Sequence, residues 1–238
     1  ITIQFMHDKF NFLIAFFTCI SKIQQGFQKP HIWQGFQNSP SAGRVLSSGF
    51  RPLDAYLPGG GWPLGALTEI LIDDIAHSPL WLVLPGLLQL TALKHHQIWV
   101  HPPHIPYPPA LTSRGISLDK TVILKPRQET DALWAAEQAL RSGACSAVLY
   151  WPKNLSFTAT RRLQLASEAG GTWGLCFRHW HAATMPTTAA LRLLFKPTGT
   201  GAMLTILKCR GGKTEGKLAI CRDTMNPFNN TNTFDLIV

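Results

Sequence analysis

Short apolar runs alternate with stretches of helical spacing, and this alternation limits the fold more than any other feature of the chain. The runs are residues 67–72 (LTEILI), 97–100 (QIWV), 121–124 (TVIL), 146–151 (SAVLYW) and 173–177 (WGLCF). Between them lie helical stretches at about 79–94, 109–114, 129–142 and 156–168. In the third stretch Leu133, Ala136 and Leu140 recur at helical spacing, and Gly143 closes it. Gly115 is placed as the C-cap of the second. Strands that are apolar along their whole length bury both faces, so the pattern predicts an α/β fold with a mainly parallel sheet flanked by helices. Residues 190–196, 201–208 and 217–221 then read as strands joined by short turns, predicting antiparallel strands at the C-terminal edge.

A chain of 238 residues with 45% hydrophobic and 15% charged residues is globular and long enough for one α/β domain with a substantial core. Its net charge of +9 admits DNA, RNA or an acidic protein as a partner. The cations are scattered, with no run of five Lys or Arg, which fits a solvated basic surface better than a nucleic-acid footprint. The five cysteines contain no C-x-x-C pair and suit a reducing compartment, with a cytoplasmic location expected. The nine histidines lack zinc spacing, so neither a metal nor a cofactor is expected. Residues 10–20 form an apolar run of 11, too short for the ~20 residues a membrane span needs, and read as upstream sequence or a packing helix. Opening on Ile1, the sequence reads as a fragment or a translation begun ahead of its true start.

The stretch YLPGGGWPLG at 56–65 leads into the first strand as the approach to a phosphate-binding loop would. A phosphate loop needs glycines, for close backbone approach, and a Lys. Residues 72–80 hold neither, and they place Asp73 and Asp74 where phosphates would repel them. The GGKT at 211–214 would need a glycine at Leu207 to complete the motif, and a strand follows it, so a hairpin turn is expected there. No G-x-S-x-G occurs, Cys145 falls in a turn expected to be buried, and no acid pair is suitably placed. The residues predict a protein that is not an enzyme.

The run SSGFRPLDAYLPGGGWPLGALTEI at 47–70 resembles the approach to RecA-type recombinase cores, as does ALRSGA at 139–144 followed by a strand. The resemblance implies a RecA-like P-loop-type core with a degenerate phosphate loop. The Walker A Lys is missing, Tyr150-Trp151-Pro152 stands where a magnesium-organising acid belongs, and Pro102-Pro103 stands where the catalytic Glu belongs. More specifically, the LPGGGWP block, DALWAAEQALRSGAC at 131–145, WVHPPHIPYPPAL at 99–111, RRLQLASEAG at 161–170 and LKCRGG at 207–212 are similar to the ImuA family. These are RecA-like and SulA-like accessory proteins of inducible bacterial mutagenesis cassettes.

That resemblance implies a role in SOS-induced, error-prone translesion DNA synthesis in the bacterial cytoplasm. The implied partners are an ImuB-type homologue of Y-family polymerases, RecA and a replicative-type α-subunit polymerase, with DNA contact open and no membrane. SulA, a cell-division inhibitor that binds the septal GTPase FtsZ, is similar in the same core and supplies the alternative. A third reading is a single-stranded DNA binder using Trp81, Trp99, Trp151, Trp173 and Trp180 as stacking surfaces. The basic positions expected to be exposed, and so to meet DNA or a partner, are Arg141, Arg161, Arg162, Arg178, Lys208, Arg210 and Lys213. The expected organisation is an N-terminal extension and linker at 1–47, a core at 48–222 and a disordered tail at 223–238.

Overall fold

The computed structural model describes residues 2–5, 18, 20, 21, 44–73, 78–92 and 96–222. The apolar segment at 10–20, apart from Thr18 and Ile20, and the tail at 223–238 lie outside the described residues. The chain runs through β1 (Thr2–Phe5), β2 (Val45–Leu46), α1 (Arg51–Tyr56), β3 (Trp62–Pro63) and β4 (Leu67–Ile72). It continues through α2 (Leu80–Ala92), β5 (His96–Val100), α3 (Pro108–Thr112), β6 (Thr121–Lys125), α4 (Glu129–Arg141) and β7 (Cys145–Tyr150). Next come α5 (Phe157–Gly170), β8 (Trp173–His179), β9 (Leu191–Thr198), β10 (Gly201–Cys209) and β11 (Lys217–Cys221).

Among the described residues nine strands form one mixed sheet in the order β1-β6-β5-β7-β8-β4-β9-β10-β11. From β1 to β9 every pairing is parallel. β10 and β11 are antiparallel, as the terminal run of strands predicts. β1 falls within the stretch read as an extension, yet it pairs with β6 in this sheet. β2 pairs with β3 in a separate two-stranded sheet, just ahead of the expected start of the core at 48.

Strand side chains alternate between two cores, as a pleat requires. Ile70, Trp99, Ile123, Leu149, Leu175 and Leu193 face one core, under α1, α2 and α3. Leu67, Ile98, Val122, Val148 and Cys176 face the other, under α4 and α5. In α4 the buried residues Ala132, Ala135, Ala136 and Ala139 are small, so its backbone can lie close to the sheet and to α5. Ser156 caps α5 by accepting a 3.2 Å hydrogen bond from the backbone N–H of Ala159, and Gly171, with φ +63°, ends it. α2 tolerates Pro85 inside it within an almost wholly apolar sequence, LWLVLPGLLQLTA. Cys145 is buried at the start of β7, as expected.

Candidate functional site

The glycine-rich approach folds for local reasons that its sequence already contains. The Asp54 carboxylate accepts from the Ser48 backbone N–H at 2.8 Å and from the Ser47 hydroxyl at 2.7 Å. This closes a turn in which Gly49 takes φ +81° and Leu53 is buried. Gly61 passes so near β2 that an added Cβ would sit 2.2 Å from the Leu46 carbonyl oxygen. The motif residues Gly49, Leu53, Asp54 and Gly61 therefore have structural work to do at the amino ends of the parallel strands. At the other end β4 finishes on Ile72 and the exposed Asp73, while residues 74–77 lie outside the described residues. The GGKT segment lies in the connection from β10 to β11, consistent with the expected turn.

Glu69 is fully buried in the middle of β4. Its carboxylate accepts from Arg178 Nη1 of β8 at 2.7 Å and from Arg192 Nε of β9 at 2.6 Å. Arg178 also donates to the Leu155 carbonyl at 2.9 Å, and Arg192 Nη1 donates to the carbonyls of Ala182 and Met185 at 3.0 and 2.6 Å. Arg192 thereby ties the 3-10 turn Trp180–Thr184 to the sheet. This corrects the placement of Arg178 among the exposed cations: it is buried because its guanidinium neutralises a carboxylate that has no access to water. Burial also raises the neighbouring Cys176 thiol and the Tyr150 hydroxyl well above their ordinary values.

The remaining basic positions lie on two surfaces. Arg141 and Arg162 are exposed on α4 and α5 and share the carboxylate of Glu137. Arg161, the residue before Arg162 on α5, is also exposed. At the amino ends of the strands Arg210 donates to Glu168 at 2.9 Å, and this hydrogen bond holds the Glu168 carboxyl below its usual range. Gln164 donates to the same carboxylate at 2.7 Å and accepts from the backbone N–H groups of Leu67 and Ala190 at 3.1 and 3.2 Å. A polar chain thus connects the starts of β4 and β9 to Arg210. Lys208 is partly buried, donates to the Thr187 carbonyl at 2.7 Å and is held below its ordinary value, chiefly by burial. Lys213 is exposed in the β10–β11 connection. A cavity of about 520 Å³ lies here, with Arg44, Pro58, Gly61, Glu168 and Arg210 in its wall.

The tryptophans offered as stacking surfaces separate in the same way. Trp81, Trp99 and Trp173 are buried in the core and closed to a ligand, whereas Trp151 is half-buried and Trp180 is exposed. A second cavity, of about 340 Å³, lies at the carboxyl ends of the strands, with Trp151 in its wall.

Residues 65–174 match the family model described as Cell division inhibitor SulA. The cell division inhibitor SulA of Pectobacterium carotovorum is 33% identical over 115 residues, covering 48% of this chain and 68% of the relative. The chain belongs to the SulA family. The SulA of Edwardsiella piscicida is 38% identical over 102 residues, covering 42% of this chain and 61% of that protein. Protein ImuA of Caulobacter vibrioides is 32% identical over 136 residues, covering 55% of this chain and 56% of that protein. The chain thus spans less than two thirds of the length of these last two relatives. A crystal structure of SulA from Pseudomonas aeruginosa aligns with 24% identity and a TM-score of 0.41, covering 47% of this chain and 97% of that one. Membership of a SulA family that also takes in ImuA bears out the resemblance drawn from the LPGGGWP and ALWAAEQALRSGAC blocks.

The sequence reading missed the triad of Glu69, Arg178 and Arg192, and also Gln164. A signal was present for the first three: Glu69 and Arg178 are each the one acid or base inside a mostly apolar strand, and Arg192 stands within the apolar start of β9, LRLLF. No such signal marks Gln164, which lies among the polar residues of an amphipathic helix.

Proposed function

We propose that the chain is a non-catalytic accessory protein of SOS-induced, error-prone translesion synthesis. It works as a docking module built on a RecA-like core at 48–222 whose phosphate loop has degenerated. Its partners are an ImuB-type polymerase homologue, RecA and a replicative-type α-subunit polymerase, and it acts in the cytoplasm. The observation that carries this reading is the 32% identity to a Protein ImuA over 136 residues. The strand order supports the RecA-like core. β4, the strand after the glycine approach, lies inside the sheet between β8 and β9, and the chain reverses across it as in doubly wound folds. The turn built by Gly49, Asp54 and Gly61 supports the idea that the glycine approach persists as architecture, shaping a surface for partners without a hydrolysis cycle.

The 38% identity to a cell division inhibitor favours a second reading, a SulA-like protein that binds FtsZ. One experiment separates the two: immobilise the full chain and offer the neighbouring polymerase homologue and, in parallel, the host FtsZ. Retention of the polymerase alone is the expected result. Retention of FtsZ alone sinks the translesion reading in favour of division arrest, and retention of neither sinks both. The exposed cations Arg141, Arg161, Arg162, Arg210 and Lys213, with the partly buried Lys208, are the first positions to reverse in charge if the polymerase is held.

A further inference from the structure

Ligands of open α/β sheets bind outside the carboxyl ends of the strands, beside the point where the strand order reverses. In this chain β8 and β9 flank β4, while the connection from β4 crosses to β5, beyond β7. The cavity of about 340 Å³ occupies that end of the sheet, with His101, Lys125, Trp151, Lys153, Phe177 and His179 in its wall. Lys125 ends β6 and is half-buried, and Lys153 follows β7 and is exposed, so two cations reach the cavity from either side of β5. Nearby acids are largely committed. Glu129 pairs with His101 Nδ1 at 3.2 Å and accepts from the Lys153 backbone N–H at 3.4 Å. Glu69 holds both arginines of the triad. Asp73, at the end of β4, is exposed to solvent.

The aromatic part of the wall is as specific as the charge. Trp151 and Phe177 stack, with ring centroids 4.7 Å apart and planes 18° apart, and Trp99 supports Trp151 from the core at 5.9 Å. His101 adopts φ +58°, unusual for a residue with a side chain and a form of strain that collects at ligand sites. Two further aromatics stand at this same end: Tyr107, 70% exposed after β5, and Trp180, 42% exposed in the 3-10 turn after β8.

We propose that this cavity binds a nucleotide unit of single-stranded nucleic acid, with its base packed against Trp151 and its phosphate held between Lys125 and Lys153. A flat aromatic wall beside two cations fits a base and its phosphate, and stacking on aromatics is tolerant of sequence. Tyr107 and Trp180 supply platforms for neighbouring bases, which a lone mononucleotide would not use. The site is separate from the question of which protein partner is held, because it draws on none of the cations assigned to that contact.

The test is fluorescence anisotropy of the full chain with a labelled oligothymidine of about ten nucleotides. Its RNA counterpart, thymidine monophosphate and a glutamate-rich peptide serve as comparators. Expected is binding of the oligonucleotide at low salt, weakened at least tenfold in the Lys125→Ala/Lys153→Ala variant. The slope of log affinity against log salt should fall by about 0.7, for the one phosphate that the two lysines no longer neutralise. Trp151→Leu should weaken binding about tenfold and leave that slope unchanged. Lys217→Ala, on β11 and exposed, should bind normally, and thermal melts monitored by circular dichroism establish that each variant is folded. Equal affinity for the RNA strand supports the site as one for single strands of either sugar. Four results overturn the proposal: no oligonucleotide binding, undiminished binding by the lysine variant, capture of the monophosphate alone, or tighter capture of the glutamate-rich peptide.

Discussion

Replacing Glu69 by Gln would keep the shape of the side chain and remove the one charge that two buried arginines share. The structure shows two short charge-assisted bonds, 2.7 Å from Arg178 and 2.6 Å from Arg192. Hydrogen bonds to charged groups contribute about 1.5–3 kcal/mol each, so the pair is worth about 3–6 kcal/mol. Breaking a buried ion pair by deleting one partner costs about 3–5 kcal/mol, which agrees. Against a total stability of about 5–15 kcal/mol, that loss is a large share. For a chain of this size it corresponds to a fall in Tm of about 6–20 °C.

Arg178→Met should cost less than Glu69→Gln. It leaves Glu69 still neutralised by Arg192 and strands only the Leu155 carbonyl. The double variant Glu69→Gln/Arg178→Met should be more stable than Glu69→Gln alone, since one stranded cation has gone. Urea unfolding at neutral pH, followed by tryptophan fluorescence, reads all three. A loss below about 1 kcal/mol for Glu69→Gln, or a double variant less stable than that single one, would refute the reasoning.

Three further outcomes follow from local geometry. Gly170→Ala would gain about 1 kcal/mol of helix propensity, yet its Cβ would sit 1.9 Å from the Leu140 carbonyl oxygen, so the melting temperature should fall; a rise would mean that α4 and α5 can separate. Arg210→Ala should destabilise by a few tenths of a kcal/mol at neutral pH, as is usual for an exposed pair. Because the folded Glu168 carboxyl lies below its ordinary value of 4.5, that contribution is complete above pH 4.5 and fades as the pH drops through the folded value. A difference that grows on acidification contradicts the assignment. Among Cys145, Cys176, Cys209 and Cys221, a thiol reagent should label Cys209 and Cys221 in the native state and reach the buried Cys145 and Cys176 only on unfolding.

Much of the architecture could be read from hydrophobic periodicity because the parallel strands are buried on both faces. The run LTEILI became β4 as expected, and α4 and α5 differ from expectation only at their ends. Elements specified by contacts distant in the sequence were less visible. β2 and β3 are two residues each, with too little sequence to show a period, and their pairing depends on the close pass of Gly61. α1 was hidden inside the run at 47–70, read as the approach to a phosphate loop, although Asp54, the residue that closes its turn, lies within that run. Arg178 was misplaced because a helix or strand end beside histidine and tryptophan suggests solvent, and only the third dimension brings it to Glu69. The cavity at the carboxyl ends is assembled from the ends of five strands, a convergence that no local window of sequence contains.

The position of β4 has a consequence for how the chain emerges during synthesis. β4 is an early strand in the sequence, but its neighbours in the sheet, β8 and β9, arrive much later. The arginines that neutralise Glu69 follow it by 109 and 123 residues. At about 5–20 residues per second, β4 waits about 6–25 s with both of its edges open. A bare apolar strand in that state is prone to pair with another nascent chain, and a charge within it acts as a gatekeeper. Until Arg178 and Arg192 arrive, the hydrated carboxylate of Glu69 keeps LTEILI from pairing with the wrong strand, and the same carboxylate then recruits the two strands that complete the sheet around it.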